Sequence, residues 1–164
     1  MDSLPYPRIL RHAAAGESEA LFALAAQRIG NTVGYRLLTI LVPEASGRKL
    51  HRLYTTDAES YPLGPADEVT RSAWFVQLFE KRQPVIAADP DAIAAWLPNF
   101  EGVSRDGLGA LANVPIIVAD ETIGIINLMD SPRRYGPDTA WLLRQELPLL
   151  ATAIAVLTGR NGNA

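Results

Sequence analysis

The sequence contains no cysteine and only two histidines, His12 and His51. Without cysteine there can be no disulfide, no thiolate nucleophile, no cysteine-ligated zinc and no thioether-linked chromophore. Two histidines are too few for a multi-histidine metal site. We therefore expect a cytoplasmic protein from a reducing compartment, with neither a metal nor a bound cofactor.

Long apolar runs and runs of basic residues are also missing. The apolar tracts at residues 114–118 and 147–157 are too short or too interrupted to cross a bilayer. The first residues lack the basic-then-apolar pattern of a signal peptide. Lysine and arginine are scattered through a chain of net charge −3, which disfavours nucleic acid as a partner. We expect neither a membrane nor a nucleic acid as partner.

The composition is that of an ordinary globular protein. Of the 164 residues, 48% are hydrophobic and 20% are charged, and this length suits one domain with one core. We predict a lead-in of little periodicity at residues 1–16, a single domain at 17–158 and a frayed tail at 159–164.

Apolar periodicity predicts helices that alternate with β-hairpins. The predicted helices cover residues 17–33, 68–82, 90–97 and 137–157. The predicted strands cover residues 35–42, 49–56, 85–87, 110–118 and 122–129, with a tight turn at Asp120 and Glu121. Residues 57–67 are predicted as a loop and 98–109 as irregular. Asp89 is expected to cap the third helix with Pro90 in its first turn, and Pro148 is expected to kink the last helix.

This order of elements predicts the α+β variety of the α/β class. Strands that arrive as hairpins form a mainly antiparallel sheet. The terminal helices are expected on one face of that sheet. The long connection over residues 57–109 is then left to cover the other face, where a cavity can form.

One stretch resembles a known family. Residues 107–131, GLGALANVPIIVADETIGIINLMDS, resemble the C-terminal half of GAF domains, where a strand ending in valine-proline-isoleucine turns into an isoleucine-glycine strand. The segments TVGYRLLTILV and RLYTTDAESYP are similar to small stand-alone bacterial GAF proteins of unestablished activity. The resemblance implies a GAF/PAS-like fold that holds a small molecule between the sheet and its crossover helices.

The same resemblance implies a homodimer formed by terminal helices, and two apolar stripes on the last helix agree with it. One stripe repeats at four-three spacing and the other every seven residues: Leu143, Leu147, Leu150, Ile154 and Leu157, then Leu142, Leu149 and Val156.

Several branches of the family can be tested on this sequence. Bilin attachment and free methionine sulfoxide reduction both need cysteine, which is absent. The cyclic-nucleotide signature of phosphodiesterase GAF domains is not found. Haem would need an axial ligand, for which only His51 is a candidate.

Asn113 and Asn127 interrupt otherwise apolar strands and are the most informative candidate site residues. A three-residue turn would place them directly opposite each other, whereas a two-residue turn would shift the register by one. They either read a polar ligand or hydrogen-bond each other in the core. In the sulfoxide reductases, pocket carboxylates come from nearby positions; Leu111 and Asn127 stand there in this chain, which disfavours a cationic ligand.

Further candidates lie along the connection that covers the proposed pocket. Aromatic side chains suit a planar or apolar ligand, although they also suit core packing. Arginine suits a carboxylate or phosphate, or it extends to solvent at the edge of the sheet; an aspartate accepts from a ligand or merely caps a turn. The candidates are Tyr54, Tyr61, Trp74, Phe75, Arg36 and Asp106, with Trp96 and Phe100 in a second lid or in an exposed dimer contact.

Three functions remain open at this point. The first is a sensory module that binds a small, partly polar metabolite and acts on a separate output protein. The second is a small enzyme that uses Asp106, His51 or Tyr61 for proton transfer. The third is a protein-interaction module with a filled core. The sequence contains no phosphate-cradling glycine loop and no serine-histidine-acid pattern.

Overall fold

The computed structural model describes residues 3–68 and 70–161, and the chain divides into two compact units. The helical unit is Met1–Gly34 with Leu142–Ala164, and the sheet unit is Tyr35–Trp141. The helical unit contains α1 (Tyr6–Ala14), α2 (Ser18–Thr32) and α7 (Leu147–Asn161). Helix α6 (Thr139–Leu143) spans the boundary between the two units in the chain.

The described residues of the sheet unit form one six-stranded sheet in the order β3-β2-β1-β6-β5-β4. Every neighbouring pair is antiparallel, as predicted. The strands are β1 (Leu37–Pro43), β2 (Lys49–Thr55), β3 (Gly64–Glu68), β4 (Val85–Ala87), β5 (Ala110–Val118) and β6 (Glu121–Asp130). The inner strand β1 has the sequence LLTILVP and is buried from Leu37 to Val42, because it pairs with a strand on each side.

The crossover segments connect the two edges of the sheet. Helix α3 (Ala73–Phe75) continues as a π-helical turn (Val76–Glu80) that leads from edge strand β3 to edge strand β4. Helices α4 (Pro90–Trp96) and α5 (Gly102–Asp106) then lead to β5. The Asp89 carboxylate accepts from the backbone N–H of Ala92 at 2.8 Å, so Asp89 caps α4 as predicted.

Five predictions of local structure were wrong. The lead-in contains α1, and α5 lies in the segment predicted as irregular. The predicted loop at 57–67 contains most of β3, because its backbone pairs with β2 although its residues are poor strand formers. The helix predicted over 68–82 begins only at Ala73, where the Ser72 hydroxyl caps it. The last helix is broken, not kinked: α6 ends at Leu143 and α7 begins at Leu147, one residue before Pro148.

A two-residue turn and a β-bulge together set the register of β5 and β6. The turn contains only Ala119 and Asp120, both with positive φ, as in hairpin turns of type I′. A two-residue turn alone would misalign the asparagines, but the register shifts between Ile116 and Ile117, where Ile123 is the extra residue. This bulge restores the direct pairing of Asn113 with Asn127.

Apolar residues of the predicted α7 stripes pack within the helical unit itself. Leu149, Leu150 and Ile154 are buried, and α7 packs on α2 within the helical unit. None of the described helices is long and apolar enough to cross a membrane.

Candidate functional site

One face of the sheet carries an apolar cluster covered by the crossover segments. Leu37 and Leu41 of β1, Leu111 of β5 and Ile125 of β6 belong to it. Trp74 and Leu78, from the first crossover, and Ile93, from the second, complete the packing against these strands. The crossovers therefore form a lid over this face, as the connection was predicted to do.

A cavity of about 500 Å³ lies under this lid, a size typical of small-molecule sites. Its walls combine four aromatic rings with hydroxyl, amide and charged groups. The lining residues are Leu50, Arg52, Ser60, Tyr61, Glu68, Thr70, Ser72, Trp74, Trp96, Leu97, Pro98, Asn99, Phe100, Glu101, Gly102 and Arg105.

The cavity brings together aromatic side chains from both groups of candidates. Tyr61 and Trp74 were candidates along the connection over the pocket, and Trp96 and Phe100 were candidates for a second lid. Gly102 lies beside rings from both groups. A Cβ at this position would meet the ring of Phe100 and lie 2.7 Å from the hydroxyl of Tyr61. Glycine therefore permits both rings to pack against the start of α5.

Tyr61 is held by a cluster of charged side chains. Its hydroxyl donates to Asp106 Oδ2 at 2.7 Å, and Arg105 Nη2 donates to the same oxygen at 2.9 Å. The guanidinium carbons of Arg105 and Arg52 lie 5.3 and 5.7 Å from the centroid of the Tyr61 ring. The phenol is thus fixed at the wall between the large cavity and a smaller one of about 270 Å³.

The ionisation of this pair follows from its contacts. Burial, together with the hydrogen bond to Asp106, raises the pKa of the Tyr61 phenol to about 12. Hydrogen bonds from Arg105 and then from Tyr61 lower the pKa of the Asp106 carboxyl. At neutral pH Tyr61 is therefore a protonated donor and Asp106 an ionised acceptor.

Arg36 binds the end of α5. Its Nη1 and Nη2 donate to the carbonyl oxygens of Gly107 and Asp106, each at 3.2 Å. A cation at the C-terminus of a helix satisfies carbonyls that have no partner within the helix. Arg36 lines the smaller cavity together with Tyr61 and Asp106.

The two asparagines lie in a chain of largely buried hydrogen bonds across three strands. Trp74 Nε1 donates to Asn113 Oδ1 at 2.8 Å, and Asn113 Nδ2 donates to Asn127 Oδ1 at 2.8 Å. Asn127 Nδ2 then donates to Thr39 Oγ1 at 3.0 Å. The described lining of the large cavity includes Trp74 but neither asparagine. The amides bond each other, and this chain fixes the indole that lines the cavity.

The other candidates lie outside both cavities. Leu53 is the extra residue of a β-bulge, which reverses the alternation of side chains along β2. Tyr54 therefore pairs with Ile40, on the face of the sheet opposite to Leu41 and the cavity. Phe75 stacks on Phe79 with ring centroids 4.7 Å apart, and Leu111 is buried in the apolar cluster. His51 Nδ1 lies 3.8 Å from a carboxylate oxygen of Glu44. Among the described residues no three histidine, aspartate or glutamate side chains cluster as metal ligands would.

Sequence reasoning missed Arg52 as a lining residue. It is separated by one residue from the buried Leu50 and pairs with Leu41, so it lies on the cavity face of β2. The sequence did contain a signal for Arg52: it is a charged residue at a position where the alternation of the strand predicts a buried one.

Comparison with known proteins agrees with this architecture. A family profile described as "GAF domain" matches residues 16–155. The GAF domain of a phosphoenolpyruvate-protein phosphotransferase from Coxiella burnetii is 14% identical with a TM-score of 0.68, and the alignment covers 94% of each chain. The GAF domain of a two-component sensor histidine kinase from Bacillus halodurans is 15% identical with a TM-score of 0.64, covering 86% of this chain and 97% of that one.

The structure of a GAF domain/HD domain protein from Geobacter sulfurreducens is 16% identical with a TM-score of 0.64, covering 85% of this chain and 91% of that one. A comparison with curated protein sequences gave no match. The structural likenesses establish the fold, and the profile covers well over half of the chain. The chain therefore belongs to the GAF domain family, whose members are typically sensory or regulatory domains.

Proposed function

We propose that the chain is a sensory module that binds a small, partly polar metabolite in the large cavity. The observation that carries this proposal is a space of about 500 Å³ walled by four aromatic rings and lined by hydroxyl and amide groups. Such a lining gives a ligand apolar contact area and a few directional hydrogen bonds. A cavity of this size argues against an interaction module with a filled core.

Binding is better supported than catalysis by the ionisation of Tyr61 and Asp106, two of the candidate proton-transfer groups. A general acid or base works best with a pKa near the working pH. The pKa of Tyr61 is raised to about 12, and that of Asp106 is lowered. Both shifts move the pKa further from neutral pH. Tyr61 is therefore suited to be a fixed hydrogen-bond donor, and Asp106 a fixed acceptor.

A thermal-shift screen against a library of small metabolites tests the proposal. A compound that binds only the folded protein raises its midpoint of unfolding in a saturable way. The Ser60→Trp variant, which fills the cavity from an exposed lining position, is expected to abolish the stabilisation. Ser46→Trp makes the same change in the exposed turn between β1 and β2 and should leave it intact. No saturable hit, or equal hits with both variants, would contradict the proposal.

We also propose a homodimer that forms through the helical unit. The supporting observation is on α1, where Tyr6 and Leu10, one turn apart, are 63% and 67% exposed. Sedimentation at tens of micromolar is expected to give a dimer, and Leu10→Asp is expected to give a monomer. A monomeric parent protein would refute this part of the proposal.

We further propose a cytoplasmic location and a separate output protein. A cytoplasmic location is consistent with a cysteine-free chain, which has no disulfide to form in an oxidising compartment. Two of the similar structures are GAF domains of a sensor kinase and a phosphotransferase. By analogy, we propose that the state of the cavity is passed to a separate output protein.

A further inference from the structure

Resting on the proposed function, we infer that the cavity selects a planar, anionic ligand and that Arg52 is the residue that recognises its negative charge. The aromatic rings favour a flat ligand. Trp74 and Trp96 both line the cavity, and aromatic walls favour flat ligands that can stack on them. The indole of Trp74 cannot turn freely, because its Nε1 is bonded to the buried Asn113 at 2.8 Å.

Arg52 places a positive charge in the cavity lining. Arg52 comes from β2, a strand that is paired on both sides, and it extends from the apolar face of the sheet into the cavity lining. Its Nη1 donates to the carbonyl oxygen of Pro62 at 2.8 Å, and its guanidinium lies by the Tyr61 ring. These contacts hold the cation in one place before any ligand arrives. A fixed guanidinium suits a carboxylate or phosphate, because it offers several donors in a rigid plane.

The acidic lining residues are placed differently. Glu68 lies at the end of the edge strand and Glu101 just before α5, and both are exposed. Solvent screens exposed charges more strongly than partly buried ones, so the half-buried Arg52 dominates the recognition of charge inside the cavity. Arg105 adds a second positive charge at the same wall, reduced by its ion pair with Asp106.

Calorimetry with matched probes tests this inference. The probes are 2-naphthoate, its neutral amide 2-naphthamide, the cation 2-naphthylmethylamine, and decahydronaphthalene-2-carboxylate, which keeps the charge but is not flat. We expect 2-naphthoate to bind at least about tenfold more tightly than each of the others. The amide and the amine lose the charge-assisted hydrogen bond, which is roughly twice as strong as a neutral one, and the saturated ring loses its stacking on the indoles. Equal or tighter binding of the amide or the amine would overturn the inference and leave the proposed function standing. Failure of all four probes to bind would overturn the inference.

Arg52→Met keeps the aliphatic stem and removes the charge. In this variant the ratio of acid to amide affinity is expected to fall to about one, because the charge-assisted bond is lost. Arg48→Met removes an exposed arginine from the turn before β2 and should keep the ratio. An unchanged ratio in Arg52→Met would overturn the role of Arg52. If Arg52→Met does not fold, Arg52→Gln is measured in its place and the same loss is expected.

Discussion

Replacing Asn113 with leucine is expected to lower the free energy of unfolding by about 2 to 6 kcal/mol, because each stranded polar group in a core costs about 1 to 3 kcal/mol. Asn113 is 2% exposed and bonded on both sides. Leucine keeps the branching at Cγ but has no polar atom, so it strands the indole N–H of Trp74 and the amide oxygen of Asn127. Urea denaturation followed by circular dichroism measures the loss.

A graded comparison separates this cause from a general effect of core substitution. Thr39 lies at the other end of the hydrogen-bonded chain, and Thr39→Val removes only the acceptor for Asn127 Nδ2. This variant should lower the free energy of unfolding less than Asn113→Leu. Asn113→Leu should also change the fluorescence of Trp74, since its indole loses its fixed partner. A variant as stable as the parent protein would mean that the hydrogen-bonded chain does not stabilise the sheet.

Removing the cation of the buried pair in the helical unit is expected to have a comparable effect. Arg28 Nε donates to both carboxylate oxygens of Glu146 at 2.9 Å, and the two side chains are only 16% and 5% exposed. Arg28→Met leaves the glutamate buried without this cation, and breaking a buried pair from one side typically costs about 3 to 5 kcal/mol. The double variant with Glu146→Leu should recover most of the loss, because no charge then remains in the core.

The exposed pair of Arg71 and Glu80 provides the matched control. It has similar geometry, at 2.8 Å, but its side chains are 75% and 41% exposed. Arg71→Met should therefore change stability much less than Arg28→Met. A double-mutant cycle in urea measures both pairs, and equal small effects would show that burial of the Arg28 pair has no energetic consequence.

The fold was predictable where apolar periodicity and turn residues agreed. The paired strands β5 and β6, the hairpin of β1 and β2 and the Asp89 cap follow directly from local sequence. Edge strand β3 was not predictable, because GPADE has little strand propensity and forms through pairing with β2. Helix α1 was missed because its apolar residues Tyr6 and Leu10 are exposed and its prolines lie at the start, where a helix tolerates them.

Four aromatic candidates lie at the cavity, whereas the register of the strands could not be derived from the sequence. Tyr61, Trp74, Trp96 and Phe100 all line the cavity, as residues on crossing connections can. The asparagines were placed opposite each other by a bulge that no residue count of the turn reveals. The bulge in β2 likewise takes Tyr54 to the other face, whereas Arg52 stays on the cavity face. A shift of one residue reverses every side chain beyond it, so periodicity alone cannot locate such positions.

The most direct test of a ligand-binding cavity is a crystal structure of the protein grown with the strongest stabiliser from the metabolite screen. The account predicts electron density for that compound under the crossover segments, in contact with Trp74 and Trp96 and within hydrogen-bond distance of the guanidinium of Arg52. Density at any other surface, with the cavity unchanged, would contradict it.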